Sequence, residues 1–389
     1  MDNLINSIKK PGLVILGASG GVGQASLQLI TEKRDLFTNV VLVDRVDSVI
    51  KSRFIDHKKL NYVFIEKNIS DNNIEDFLYE ISKKYSISIV LDVTDSNTLP
   101  ILSASDSLGL TYMNCSLNSE SGSMSGFVGE MQDFSKKFNK TTHILSMGMN
   151  PGIINHLIID GVMRHGTPNS FVEVEYDSGF PKFDPGTPFI YWSKKQFLNE
   201  AVWDYGGYCG DKGEYIKLEK TAIQSLKQTR EYIEPIKKLD IYPMGMLVAH
   251  DEIIAMSRIL EIPGEFIYAI HPISTDRLQI LSKKGKITED DISYMNNISN
   301  PLHGSDFIAL WLNYSNKKVC YYLEVDHESI KGTNATLYMV AVGVVAGLID
   351  FIENPPIDKG VLSVFELNNH AFLQIVSRYI PIKKIEILK

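Results

Sequence analysis

The sequence predicts an α/β protein of two domains, a doubly wound parallel sheet over residues 1–150 and a mixed α+β domain over residues 151–333. At 389 residues, the chain is longer than one hydrophobic core usually serves. Short apolar runs alternate with helical patterns through the first 150 residues, which is typical of right-handed crossovers in a parallel sheet. After Pro151 the alternation ends. A loop rich in Pro and Gly at 178–188 then precedes longer β-type runs with Lys-rich connectors between 212 and 240.

Apolar runs locate the elements of the first domain. A short apolar run that ends at a turn signal predicts a buried parallel strand, and apolar residues at helical spacing predict a helix. The predicted strands cover 13–16, 39–44, 62–65, 87–91, 110–113 and 143–146, and the predicted helices cover 21–33 and 74–84.

The C-terminal segment returns to a helical pattern. Residues 337–349 are strongly apolar, and a mixed polar and apolar helix is predicted near 364–378. The apolar run is shorter than the ~20 residues that cross a bilayer, so we expect a buried helix. We expect residues 334–389 to complete the first domain.

Composition excludes several classes of protein. Apolar residues make up 44% of the chain and charged residues 22%, which is ordinary for a globular protein. The net charge of −8 argues against a nucleic-acid-binding protein and favours cationic ligands. Three scattered cysteines, Cys115, Cys209 and Cys320, suggest neither disulfides nor a thiolate metal site. With no apolar core of signal-peptide type near the first residues, we expect a cytoplasmic protein without a membrane partner.

The strongest local motif is GASGGVG at 17–23, with glycines at Gly17, Gly20 and Gly23. It lies between a predicted strand and a predicted helix, where glycine allows a tight turn and close approach of a pyrophosphate to the helix N-terminus. Ser19, Gly21 and Val22 complete the predicted phosphate-binding loop. The GxxGxxG spacing resembles that of saccharopine dehydrogenase-like and short-chain reductase folds, and so predicts a Rossmann domain.

Asp44 closes the second predicted strand, about 20 residues after the glycines, where an acidic residue binds the ribose 2′-hydroxyl. A carboxylate there repels a 2′-phosphate, so NAD is favoured over NADP as the cofactor. Arg45 beside it is the residue type that meets such a phosphate. The alternative is a glycine-rich turn that binds no cofactor.

Longer segments carry a more specific resemblance, in the same order over most of the chain. They are SMGMNPGIINHLI at 146–158, YWSKKQFLNEA at 191–201, MLVAHDEIIAM at 246–256, YAIHP at 268–272, HGSD at 303–306 and NATLYMVAVGVVAGLIDFIENP at 334–355. These segments resemble those of the bacterial homospermidine synthases, in the saccharopine dehydrogenase-like superfamily. The resemblance implies redox-neutral chemistry on diamines with tightly held NAD: a putrescine carbon is oxidised, a second putrescine condenses with the resulting imine, ammonia leaves, and reduction gives homospermidine.

The resemblance assigns catalytic positions to Trp192, Glu200 and His271. A tryptophan face attracts an ammonium by ~0.5–2 kcal/mol. A glutamate can hold an amine or shuttle its proton, and an imidazole titrates near neutral pH. The alternatives are a structural tryptophan, a solvated glutamate and a buried, hydrogen-bonded histidine.

Four further residues are predicted to bind substrate. Glu173 lies 19 residues before Trp192, the family's interval, on an alternating strand where every second residue shares a face. Asp92 ends a parallel strand, where ligands usually bind, although a structural turn explains it equally well. Asn150 is expected near the nicotinamide and as a helix cap. Asp306, in HGSD, is the weakest of the four.

The chain also departs from the family. Asn118 stands where an acidic substrate-binding residue is expected, Glu120 two positions on is its candidate substitute, and the segment 119–142 is shorter than the family's. His250 and Asp251 could mimic a metal-binding pair, but no second ligand cluster accompanies them, so no metal is assigned.

Two other functions remain open. One is a saccharopine or carboxynorspermidine dehydrogenase-like reaction on a carboxylated amine, for which Lys194 and Lys195 would be the anchors. The other is a catalytically silent NAD-binding protein. Dimers are common in this superfamily, and the sequence gives no interface signal of its own.

Overall fold

The structure is a computed structural model that describes residues 10–47, 52, 54–118, 134, 137–295 and 300–389. Two large sheets organise this part of the chain, one in each half. The predicted α/β class, with a Rossmann-like sheet followed by a mixed domain, is confirmed.

The first sheet has seven parallel strands in the order β19-β6-β5-β4-β1-β2-β3. Its central strands are apolar and buried on both faces, as in β1, where all five residues are buried because helices cover both sides. The chain order reverses between β1 and β4, which creates the crevice where such sheets bind ligands. The strands are β1 Gly12–Leu16, β2 Val40–Asp44, β3 Val63–Glu66, β4 Ile87–Asp92, β5 Thr111–Asn114, β6 Thr142–Leu145 and β19 Gly360–Ser363.

Helices cover this sheet, and the apolar C-terminal helix α10 packs on α1. Asn334 caps α10 by accepting the Leu337 N–H at 2.9 Å. By length and composition α10 could cross a membrane, but 78% of its most apolar window is buried, as expected of a core helix. The helices of this half are α1 Gly21–Glu32, α2 His57–Leu60, α3 Ile74–Tyr85, α4 Thr98–Ser107, α5 Ile153–His165, α10 Ala335–Glu353 and α11 Asn369–Tyr379.

The second sheet follows the order β11-β10-β14-β7-β17-β18-β20, with β13 and β12 continuing from β14. Strand β7 pairs parallel with β14 and antiparallel with β17, so the sheet is mixed. Its strands are β7 Ser170–Asp177, β10 Tyr205–Cys209, β11 Tyr215–Thr221, β12 Leu226–Gln228, β13 Met244–Val248, β14 Gly264–Ile270, β17 Ser305–Asn313, β18 Lys317–Asp326 and β20 Lys383–Leu388.

Short elements complete the second half. The strands β8 Phe180–Pro181 and β9 Phe189–Ile190 pair with β16 Leu302–His303 and β15 Ser293–Tyr294. Four helices lie between the strands, and a π-helical turn at Leu198–Trp203 continues the first of them. They are α6 Lys194–Phe197, α7 Arg230–Ile233, α8 Asp251–Leu260 and α9 Pro272–Ser282.

Three local predictions differ from the structure. The Lys-rich stretch 212–240 contains β11, β12 and α7 rather than connectors alone, because alternate residues of β11 pack inward between exposed lysines. The last predicted helix begins at Asn369, after a short turn at Val364–Glu366. Within 334–389, β19 lies in the first sheet, whereas β20 lies in the second.

Candidate functional site

A cavity of about 1410 Å³ lies between the carboxyl ends of the first sheet's strands and one face of the second sheet. It exceeds the roughly 300–1,000 Å³ of a site for one drug-sized ligand, so it has room for a dinucleotide and a small substrate. The first domain contributes the loops after β1, β2, β4 and β5, and the second contributes β7, β13, β14 and the segment 192–204.

The glycine loop forms one end of the cavity. Gly17 has a φ of +82°, and a Cβ there would lie 2.9 Å from the Val93 carbonyl oxygen, so glycine is required by both conformation and space. A Cβ on Gly23 would lie 2.3 Å from the Gly17 carbonyl oxygen, so Gly23 lets the helix pack under the loop. Four predicted residues of the loop line the cavity besides Gly17, namely Ser19, Gly20, Gly21 and Val22.

Asp44 and Arg45 line the same end. The Asp44 carboxylate accepts the Ser19 backbone N–H at 2.9 Å and the Arg45 N–H at 2.7 Å, which holds it beside the glycine loop. A glycine cradle without obstructing Cβ atoms, the start of α1 and a fixed carboxylate together fit a dinucleotide. The residues that would hold it are the predicted residues of the glycine loop together with Asp44 and Arg45. Gly23 would not contact the dinucleotide, but it allows α1 to pack under the loop.

Aromatic rings of the second domain form part of the cavity wall. The Trp192 Nε1–H donates to the Tyr268 hydroxyl at 2.9 Å, and the two rings meet edge to face at 6.3 Å between centroids. Phe266 stacks on Tyr268 at 6.0 Å, and both line the cavity with Trp192. Such a wall can hold an organic cation against its ring faces.

Asn150 fixes two buried carboxyl groups of β7. Its side-chain amide donates to Glu173 Oε1 and to Glu175 Oε2, each at 2.9 Å. Glu175 lines the cavity, whereas Glu173 lies behind it. Burial raises the pKa of Glu175 to about 8, although the hydrogen bond from Asn150 opposes the rise. Burial and the charge of Glu252 together raise the pKa of Glu173 well above its usual range.

The capping role predicted for Asn150 is wrong. The helix α5 begins at Ile153, its cap is Gly152, and the Gly152 N–H donates to the Asn155 side chain at 2.8 Å. The Asn150 amide is therefore available for the two glutamates of β7.

His250 lies between two glutamates at the other end of the acidic region. Its Nε2 is 3.6 Å from Glu200 Oε2, and its Nδ1 is 2.5 Å from Glu252 Oε2. Burial alone would lower the pKa of His250, but the charge of Glu252 and the contacts with Glu200 outweigh it and raise that pKa well above the usual range. Both His250 and Glu200 line the cavity. The charged imidazole of His250 therefore holds the Glu200 carboxylate at the cavity wall.

Asp251 follows directly and also lines the cavity. Burial is the largest influence on it and raises its pKa to about 7, with His250 opposing the rise. Within the described ranges, no group of three or more His, Cys, Asp or Glu residues has a geometry that could hold a metal ion.

Besides Gly23 and Glu173, three predicted site residues do not line the cavity, namely Asp92, His271 and Asp306. Asp92 is held in a turn: one oxygen accepts from the Thr94 N–H and hydroxyl, and the other accepts from the Tyr112 hydroxyl at 2.8 Å. His271 begins α9 and packs its ring 4.8 Å from that of Phe180. Asp306 is fully buried on β17, paired in register with Asp177.

The cause of these placements is tertiary. Burial raises the pKa of Asp92 to about 6 despite its hydrogen bonds, so the turn uses its carboxyl completely. Burial lowers the pKa of His271, whose ring accepts the Ile273 N–H at 3.3 Å. Burial and the neighbouring Glu175 and Asp177 charges raise the pKa of Asp306 well above its usual range.

Asn118 joins the two domains across the cavity. Its side-chain oxygen accepts from the Gln196 amide at 2.5 Å, and the Ser193 hydroxyl donates to Asp95 at 3.3 Å beside it. The position expected to carry an acidic substrate ligand is therefore an interdomain contact. Glu120, its candidate substitute, lies outside the described residues.

Sequence reasoning missed Glu175, Tyr268 and the roles of His250 and Asp251. The alternation of β7 placed Glu175 on the same face as Glu173, and the strand end before His250 was visible as a short apolar run. Neither signal says which carboxyl faces a cavity, because that depends on how β7 packs against the first domain.

Comparison with known proteins agrees with this arrangement. Residues 13–144 match the model of the saccharopine dehydrogenase NADP binding domain. Among solved structures, the homospermidine synthase of Legionella pneumophila in complex with NAD has a TM-score of 0.78 at 17% identity, covering 98% of this chain and 92% of that chain. The amine dehydrogenase of Mycobacterium smegmatis has a TM-score of 0.42 at 9% identity, covering 93% and 97%. A search of curated proteins finds no significant match.

The family match supports the saccharopine dehydrogenase-like superfamily for residues 13–144, and the homospermidine synthase structure supports the fold of the whole chain. The first domain is an NAD(P)-binding domain. This confirms the prediction that the cofactor is a nicotinamide dinucleotide. A dehydrogenase-like enzyme fold follows, whereas the substrate has to be argued from the cavity.

Proposed function

We propose that this protein is an NAD-dependent aminoalkyl transferase that converts two putrescine molecules into homospermidine and ammonia. The observation that carries the proposal is the lining of the cavity, in which the rings of Trp192 and Tyr268 occur together with the carboxyl groups of Glu175 and Glu200. Aromatic faces and carboxylates are the partners an alkyl diammonium needs. The homospermidine synthase fold neighbour supports the same substrate class.

NAD is the proposed form of the cofactor. Asp44 is fixed at the end of β2 by two backbone N–H groups, so its carboxylate would oppose a 2′-phosphate. When bound, the nicotinamide supplies a hydride acceptor that later returns the hydride, so the overall reaction consumes no reductant.

The residues of this chain bind, orient and move protons. Trp192 holds an ammonium against its face, and Glu175, fixed by Asn150, holds its charge from the β7 side. Glu200 accepts the proton that an ammonium loses before its nitrogen can react, and His250 keeps the Glu200 carboxylate in position through the 3.6 Å ion pair.

The alternative substrate, a carboxylated secondary amine, needs a cationic anchor. The Lys194 ammonium donates to the backbone carbonyls of Glu289 and Ile292, at 2.5 and 2.9 Å, and Lys195 lies close enough to Asp95 to act on its charge. Lys194 is thus engaged with the protein, and Lys195 has an acidic neighbour, which favours the diamine.

The test is an assay of the purified protein with NAD and putrescine and without any added reductant. We expect homospermidine and ammonia in equal amounts, measured by mass spectrometry and an ammonia assay, with no net accumulation of NADH. Net NADH consumption with a keto acid and an amine would support the carboxylated substrate. Absence of turnover with either substrate pair would contradict an enzymatic function of this site.

A further inference from the structure

Asp251 differs from the other carboxyl groups of the cavity. It is the first residue of α8 and only 4% exposed, yet it lines the cavity. Within the part of the chain that the structure describes, neither Oδ1 nor Oδ2 has a hydrogen-bond partner. A buried carboxylate in this state is costly, so the fold keeps a group whose partner has to come from elsewhere.

The neighbouring carboxylates are already engaged. Glu175 accepts from Asn150, and Glu200 pairs with His250. Asp44, at the far end, accepts two backbone N–H groups. Of the two buried carboxyl groups that line the cavity among the described residues, Glu175 and Asp251, the second therefore has the hydrogen-bonding capacity left for a ligand.

The contacts of the cavity carboxyl groups place them on different segments. Glu200 lies 3.6 Å from His250, the residue before Asp251, whereas Glu175 on β7 is held by Asn150 at 2.9 Å. All three carboxyl groups line the cavity. The cavity therefore offers more than one carboxyl group, as a ligand with two separated positive charges requires.

A structural role explains less. An acidic residue in the first turn of a helix interacts favourably with the helix dipole, and this accounts for an aspartate at the start of α8. An exposed aspartate would provide the same effect without the cost of burial. The dipole does not account for two buried oxygens at a cavity wall.

We propose that Asp251 binds the second ammonium group of the substrate and thereby selects diamines over monoamines. This inference rests on the proposed function, because it assumes that the cavity holds an organic cation. Asp251 acts as a substrate-binding residue, and the proton transfer remains with Glu200.

The experiment is calorimetric titration of the NAD-loaded protein with 1,4-diaminobutane and with 1-aminobutane. We expect the wild-type protein to bind the diamine at least roughly tenfold more tightly than the monoamine. Asp251→Asn should weaken diamine binding by about 10- to 100-fold and leave monoamine binding unchanged. Asp240→Asn, at an exposed position outside the cavity, is the matched control and should change neither affinity.

Three results would overturn the inference. Equal wild-type affinity for the two amines would do so without any variant. Undiminished diamine affinity in Asp251→Asn would show that the carboxyl is not used. A lower melting temperature of the ligand-free variant would show that protein contacts need Asp251. If the wild-type protein binds neither amine, the proposed function itself fails, which is distinguishable from failure at Asp251 alone.

Discussion

The Nε2 atom of His250 lies 3.6 Å from Oε2 of Glu200, and this ion pair joins the start of α8 to the π-helical turn that follows α6. Glu252 holds the other ring nitrogen, so the imidazole bridges a buried carboxylate and a carboxylate at the cavity. Turns of π-helix are frequent at functional sites because they shift one side chain out of helical register. Here the shift accompanies the placement of Glu200 opposite His250.

Removing the Glu200 charge should suppress the reaction while leaving the cofactor bound. We expect Glu200→Gln to lower kcat/KM for putrescine by ~100-fold or more, because the group that accepts the ammonium proton is lost. The NAD dissociation constant should stay the same, since Glu200 is not one of the residues that would hold the dinucleotide. Glu219→Gln, on the exposed side of β11, is the control. Wild-type turnover in Glu200→Gln would remove the residue from the mechanism.

The tryptophan wall predicts a graded loss of amine affinity. Trp192→Phe keeps an aromatic face but loses the hydrogen bond to Tyr268, whereas Trp192→Ala loses both. We expect the alanine variant to bind putrescine roughly 2- to 30-fold more weakly and the phenylalanine variant to fall between it and the wild type. Trp203→Phe loses a comparable hydrogen bond, to the Ile287 carbonyl, outside the cavity, and should bind normally. Equal binding by all three variants would rule out a cation site at Trp192.

Asp44 should decide the choice between the two cofactors. We expect Asp44→Asn to weaken NAD binding by roughly tenfold and to narrow the preference over NADP, since the repulsive charge and the ribose contact are both lost. Fluorescence titration with each dinucleotide measures this, with Asp71→Asn as the exposed control. A wild-type protein that prefers NADP would show instead that Arg45 dominates.

Diamine affinity should rise with pH. Burial raises the pKa of Asp251 to about 7 and that of Glu175 to about 8, so both carboxyl groups are neutral in acid and pair with ammonium groups only above these values. Calorimetry of the NAD-loaded protein from about pH 6 to about pH 8.5 should therefore show a falling dissociation constant for putrescine. An affinity that decreases over this range would argue against recognition by these two groups.

The same groups predict the opposite trend for stability without ligand. Glu175 has a pKa near 4.5 when unfolded and about 8 when folded, so between these values the folded protein holds a proton that the unfolded chain has lost. The free energy of unfolding must then fall as pH rises through this window. The raised pKa of His250 acts in the same direction, because its stabilising charge is lost at high pH.

Thermal denaturation of the ligand-free protein at several pH values checks the trend. A melting temperature that rises from about pH 6 to about pH 8.5 would contradict it.

The sequence by itself determined the first domain and its glycine loop. The strands β1 and β2, the helix α1 and the acidic residue Asp44 follow from short-range patterns, because glycine conformations, apolar runs and helix starts depend on neighbouring residues. The overall fold class could be predicted for the same reason.

Tertiary structure alone decided which polar residues reach the cavity. Asp92 ends a strand as a ligand-binding residue would, but Thr94 and Tyr112 occupy its carboxyl. Glu173 and Glu175 share a strand face and both accept from Asn150, but of the two it is Glu175 that lines the cavity. Tyr112, Asn150 and Glu200 come from segments distant in sequence from the residues they contact, which are Asp92, Glu175 and His250, so no local pattern contains these contacts.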